Sequence, residues 1–255
     1  MLPDVFAVIS GVLVGLVLGL LGGGGSILAV PLLLYFVGVK DPHMAIGTSA
    51  VAVSASAVIN LILHARRGTI KWPCAIAFAV SGSLGALVGA AFGKAVDGQK
   101  LLLAFAIAMF GVGISMLLRK PEAGDIDVRI SPRLAARLIP TGFITGMASG
   151  FFGIGGGFLI VPGLIGATNM IMLNAVGSSL VAVTAFGAAT AASYAFSDLV
   201  LWDVAGLFVL GGFLGGLIGQ RLSAAIANRK GTLTLMFAEF IFITAAYIGW
   251  KSLAN

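Results

Sequence analysis

Gly22-Gly23-Gly24-Gly25-Ser26 sets four consecutive glycines and a hydroxyl inside an apolar stretch, between Leu18-Gly19-Leu20-Leu21 and Ile27-Leu28-Ala29-Val30. Glycine is the poorest helix former after proline, so the run is expected to break a helix and free backbone N–H groups. In hydrocarbon such a break survives only where protein or a polar cavity satisfies those groups. A helix restarting after the run offers free N–H groups and about half a positive charge, which suits an anion. Gly153-Ile154-Gly155-Gly156-Gly157 repeats the arrangement. The chemistry on offer is oxyanion binding by backbone, with Gly24, Gly25, Ser26, Gly155, Gly156 and Gly157 as the candidate donors. Neither cluster is a nucleotide motif: no Gly-Lys-Ser/Thr follows, and the Gly-x-Gly-x-x-Gly spacing fails at Ile27 and Phe158.

Hydroxyls and an amide form a second constellation. Thr48 and Ser49 in the first half match Ser178 and Ser179 in the second. Ser49, Ser56 and Asn60 share one helical face, and an amide at membrane depth must find partners. Glu239, in Leu235-Met236-Phe237-Ala238-Glu239-Phe240, is the one carboxylate inside an apolar run, a candidate for proton coupling or an ion pair. His43 and His64 fall at opposite ends of one expected helix and read as interfacial. No serine has a plausible base, no metal-ligand cluster is present, and the single Cys74 reads as core. An enzyme is therefore not expected, nor a metal or other cofactor.

The surrounding elements must be membrane helices. Of 255 residues, 59% are hydrophobic and 9% charged, and the mean hydropathy is +1.12, whereas soluble domains carry roughly 25% charged residues. Apolar runs recur without the alternation of a barrel, so the fold class is an all-α polytopic membrane protein. Ten segments are expected: 5–21, 27–37, 43–64, 73–92, 101–118, 134–152, 158–166, 171–196, 204–222 and 233–250. Residues 27–37 cover only about 17 Å at ~1.5 Å per residue, too short to span. No cleavable leader is evident.

The chain repeats itself. Gly15, Gly19, Gly22, Gly24, Gly25, Val30 and Pro31 match Gly146, Gly150, Gly153, Gly155, Gly156, Val161 and Pro162 at an offset of 131. Ala45-Ile46-Gly47-Thr48-Ser49 matches Ala175-Val176-Gly177-Ser178-Ser179 at 130, as Trp72 matches Trp202. The expected organisation is a first repeat over 1–118, a polar linker over 119–133 and a second repeat over 134–255. The loop holding Arg66, Arg67 and Lys71 corresponds to one holding Asp198 and Asp203, which points to inverted repeats. With the Arg66 loop inside, Arg119, Lys120, Arg129, Arg133, Arg137, Arg221, Arg229 and Lys230 also fall inside, against Lys40, Lys94, Lys100 and Lys251 outside. That bias sets the topology and places both termini outside. The net charge of +6 is then a lipid-facing feature, and no nucleic-acid partner is expected.

On the two glycine breaks, Pro31/Pro162 and the Gly47-Thr48-Ser49/Gly177-Ser178-Ser179 pair, the whole chain resembles the TauE/SafE sulfite exporter family, also called the 4-toluene sulfonate uptake permease family. The resemblance implies a secondary carrier for small sulfur-containing anions such as sulfite, thiosulfate, sulfonates or sulfoacetate, in a bacterial inner membrane. Its partners would be the anion, a coupling ion such as the proton and the bilayer, with a homodimer among the possible assemblies. An anion channel of the same fold and a carrier for carboxylates satisfy the same residues. Accumulation against a gradient separates carrier from channel.

Overall fold

The computed structural model describes residues 2–118, 124–125, 128–153 and 157–226, with 235, 239, 241–247 and 250 of the last apolar segment. Among these the chain is helical: α1 Leu2–Leu21, a short α2 Ala29–Leu32, α3 Pro42–Arg66, α4 Trp72–Lys94, α5 Gly98–Leu118, α6 Pro132–Phe152, α7 Gly157–Thr168, α8 Met172–Ala195 and α9 Trp202–Ile226, then helical turns over 241–247. Among the described residues, six helical stretches are long and apolar enough to cross a bilayer. The outside is apolar, with Ile76, Val80 and Leu84 of α4 and Leu210, Leu214 and Ile218 of α9 exposed, while Ser26, Thr48, Ser49, Asn60, Ser178 and Ser179 are buried. That is the reverse of a soluble domain and suits hydrocarbon as solvent.

Asp4–Val37 is one such stretch, and its 34 residues would extend about 51 Å if straight, far beyond the ~30 Å core. It is a hairpin. Leu21 leaves the helix at φ −112°, ψ 6°, and Gly22 takes φ +65°, the left-handed value that ends helices and that a side chain resists. Residues Gly22–Leu28 then wind as a tight 3₁₀ turn, and α2 passes into a wide π-helical stretch, Leu33–Val37. The return is fixed at both ends. Gly25 abuts the backbone of Leu18, and the Phe36 ring lies 4.6 Å from that of Phe6. The second half turns in the same way: Gly153 takes φ +67° and Gly163 of α7 comes back beside Thr145 of α6.

Glycine ladders lock the hairpins to the spanning helices. Gly11, Gly15 and Gly19 of α1 lie against Phe208, Gly212 and Gly216 of α9, in parallel register. Gly142, Gly146 and Gly150 of α6 meet Phe78, Gly82 and Ala86 of α4 likewise. Small residues four apart let backbones touch, the main source of helix association where lipid removes the hydrophobic drive. The long pair α3 and α8 run antiparallel, because Gly47 lies against Tyr194 while Gly187 lies against Ser54 and Ala50. At one end of the bundle Lys94 bonds Ser193 and Ser197 (2.9 Å each). At the other, Arg67 donates to the Gln220 carbonyl (2.9 Å).

Two expectations change. The glycine run does break the helix, at Gly22, but as a 3₁₀ turn whose Gly23 N–H is bonded to Ser179 instead of left free, because a membrane-depth backbone cannot leave its groups unpaired. The polar linker, which its composition would put in solvent, is partly packed against the protein. Asp125 N–H donates to the Asn169 carbonyl (2.8 Å), and Val128 is buried. Residues 119–123 and 126–127 lie outside the described residues.

Candidate functional site

The two hairpin tips meet inside the protein. Gly23 and Gly157 touch backbone to backbone, so closely that a Cβ on Gly157 would overlap the Gly23 carbonyl. Gly157 N–H donates to Ser26 Oγ (3.1 Å), and Ser26 O–H donates back to the Gly23 carbonyl (2.9 Å). Gly23 N–H donates to Ser179 Oγ (3.0 Å), whose proton goes to the Val176 carbonyl (2.7 Å). Gly22, Gly23, Gly24, Gly25 and Ser26 are all buried. Two backbone N–H groups, one from each tip, thus point at serine oxygens within one enclosed contact.

Other candidates stand at varying distances from this contact. Thr48 Oγ1 accepts Leu201 N–H (2.9 Å) and Ser178 Oγ accepts Lys71 N–H (3.0 Å). Each hydroxyl thereby holds the start of a helix in the other half of the chain. Ser49 donates to its own helix at Ile46 (2.8 Å), and Gly153 stands over the Ile46 side chain as Gly22 stands over Val176. Ser54 of α3 donates to the Thr184 carbonyl of α8 (2.9 Å), joining two positions 130 residues apart. Gly155 and Gly156 lie outside the described residues. Glu239 is exposed on the last segment, apart from the buried tip contact.

Asn60 is not at the tips. It is fully buried in the seam of α1, α3 and α9, against Gly19 and Gly216; its amide donates to the Ser56 carbonyl (3.0 Å), while Oδ1 has no partner. His64, read from sequence as interfacial, is buried instead, at 2% exposure. Its place near a helix end misled: α3 extends to Arg66 and α1 covers that last turn. The only sequence signal was the spacing Ser56, Asn60, His64, one residue per turn on one face.

Ser179→Ala would strip the partner from a buried N–H at Gly23. The expected cost is about 1–3 kcal/mol, seen as a lowered melting temperature of the purified protein. Unchanged melting would show that the Gly23 bond adds nothing to stability.

A family description, "Sulfite exporter TauE/SafE", matches residues 7–248. A protein of Xylella fastidiosa (strain 9a5c) named "Probable membrane transporter protein" is 50% identical over 247 residues, covering 96% of this chain and 95% of its own. YunE of Bacillus subtilis (strain 168), also named a probable membrane transporter protein, is 27% identical over 253 residues, 91% of each chain. No solved structure matches.

Proposed function

Because the chain belongs to the sulfite exporter TauE/SafE family of membrane transporters, we propose that it is a secondary carrier for small sulfur-containing anions, of sulfite, sulfonate, sulfoacetate or thiosulfate type, held between the two hairpin tips. The observation that carries the reading is the pair of buried N–H groups on Gly23 and Gly157, each satisfied by a serine oxygen. Ser179 Oγ and Ser26 Oγ stand where two oxygens of an oxyanion would stand. A charged oxygen accepts a hydrogen bond roughly twice as strong as a neutral hydroxyl does, so an entering anion can displace them. Gly24 and Gly25 belong to the Gly22–Ser26 tip, Thr48, Ser49 and Ser178 stand on the flanking helices, and Gly155 and Gly156 join the site on the sequence repeat alone. The site relies on no arginine, which keeps binding weak enough for release.

In this reading 1–118 and 134–255 are inverted repeats joined through 119–133, and the two tips part alternately toward opposite faces. Several contacts support it. Thr48–Leu201 and Ser178–Lys71 are the same bond shifted by 130 in both members. The α1–α9 and α6–α4 ladders correspond residue by residue, and α3 and α8, which occupy equivalent places, are antiparallel. Antiparallel equivalents imply a twofold axis in the membrane plane, the usual plan of alternating-access carriers. In this reading the Arg66 end faces the cytoplasm and both termini lie outside, in an inner membrane; the excess of basic residues at the Arg66 end supports it.

The test is counterflow of labelled sulfite in proteoliposomes, with sulfonates, thiosulfate and carboxylates as competitors. Competition by sulfur oxyanions over carboxylates is expected, as is accumulation against a gradient. Conduction without accumulation would make the protein a channel. Preference for carboxylates would remove sulfur from the assignment.

A further inference from the structure

His64 has no role in the tip contact, yet it is bonded to the helix end that leads into it. In a continuing helix Gly23 N–H would donate to the Gly19 carbonyl, four residues back. The turn at Gly22 redirects that N–H to Ser179, and the freed Gly19 carbonyl accepts from His64 Nε2 at 3.2 Å. The imidazole therefore holds the carbonyl that the hairpin tip gives up. On its other side Nδ1 lies 3.1 Å from Thr69 Oγ1, and that hydroxyl lies 3.2 Å from the carbonyl of His64 itself.

The hydrogen bonds of this ring can be made in two protonation states. A neutral ring donates from Nε2 to Gly19 and accepts the Thr69 proton at Nδ1. When water at the 67–71 loop delivers a proton to Nδ1, Nδ1–H donates to Thr69 Oγ1, whose hydrogen turns to the His64 carbonyl. Both ring bonds persist, and no other bond breaks. Histidine is the side chain whose ordinary titration lies between about pH 5 and 8. The charged group acting on it is Arg67. Gln220 faces it from α9, donating to the Leu63 carbonyl (2.8 Å), while Arg221 is exposed. Lys71 lies beyond Thr69, α8 carries no charge, and the only charge on α1 is the distant Asp4.

The seam is one-sided. Ser56, Asn60 and His64 correspond, at an offset of 130, to Phe186, Thr190 and Tyr194. Only the first set contains a histidine. Ser56 Oγ and Asn60 Oδ1, two turns and one turn from His64, are fully buried without partners. Buried unpaired polar atoms at helical spacing are where water enters a protein interior.

We propose that His64 binds the coupling proton of this carrier and transmits its charge state to the Gly22–Ser26 tip through the Gly19 carbonyl. The proposal rests on the carrier reading above. For one-to-one coupling, a pH step of one unit sustains about tenfold anion accumulation. His64→Gln, which keeps an amide donor and acceptor but takes up no proton, should lose that accumulation while equal-pH counterflow of sulfite proceeds as in the unaltered protein. Accumulation equal to the unaltered protein's would overturn the proposal. Absence of counterflow in the unaltered protein would instead overturn the carrier reading. A substrate-free arm decides the proton site alone. In His43→Gln protein carrying ¹⁵N-histidine, the single ring should change protonation state under the pH step that drives accumulation, and a ring fixed in one state on both sides of that step would sink the proposal.

Discussion

Gly157→Ala is expected to abolish anion exchange, leaving proteoliposomes no more active than empty ones. The new Cβ would overlap the Gly23 carbonyl and stand 2.6 Å from the Gly23 Cα. Backbone lies on both sides, so no rotamer change relieves the clash. Overpacking of this kind costs about 1–3 kcal/mol, and relief requires the two tips to stay apart. They could then no longer close around an anion, and the Gly157–Ser26 bond would be lost. Gly206→Ala is the matched control: nothing lies within 4 Å of its added methyl, and alanine favours a helix by about 1 kcal/mol over glycine. It should exchange normally and melt no lower. Normal exchange by Gly157→Ala would exclude the tip contact as the substrate site. Gly25→Leu is a poorer probe, because its Cβ would overlap the Leu18 backbone within the same hairpin and report on folding alone.

Gly22→Ala is expected to destabilise the protein most among the turn positions and to remove exchange with it. The φ of +65° costs an L-residue roughly 1–2 kcal/mol. The added carbon would also sit 2.6 Å from the Val176 carbonyl oxygen and 2.7 Å from Ser179 Oγ, disturbing the partner of Gly23 N–H. Gly38 separates the two effects, since its φ is +88° with nothing within 4 Å. Gly38→Ala should therefore show only the conformational cost. Equal losses of melting temperature for the two variants would mean that contact with α8 adds nothing at Gly22.

The membrane class, the ends of the long described helices to within a few residues and the two glycine clusters were all legible without coordinates. Each follows from local physics. Hydrocarbon excludes charge over some 20 residues at a time, and helix ends carry their own marks in Pro42, Trp72, Pro132 and Trp202. Sequence alone also indicated that the Gly22–Ser26 run must be special, because no continuous helix tolerates it comfortably. What it occupied was another matter. Only the tertiary structure decided that the run closes a hairpin, that its tip rests against Gly157, and that Thr48 and Ser178 hold helix starts across the chain. The same holds for His64, whose ring finds a carbonyl 45 residues away. Propensity and hydropathy are sums over neighbours along the chain. A hydrogen bond between Gly157 and Ser26 depends on where a sequence separation of 131 residues returns the backbone, and that is set by packing.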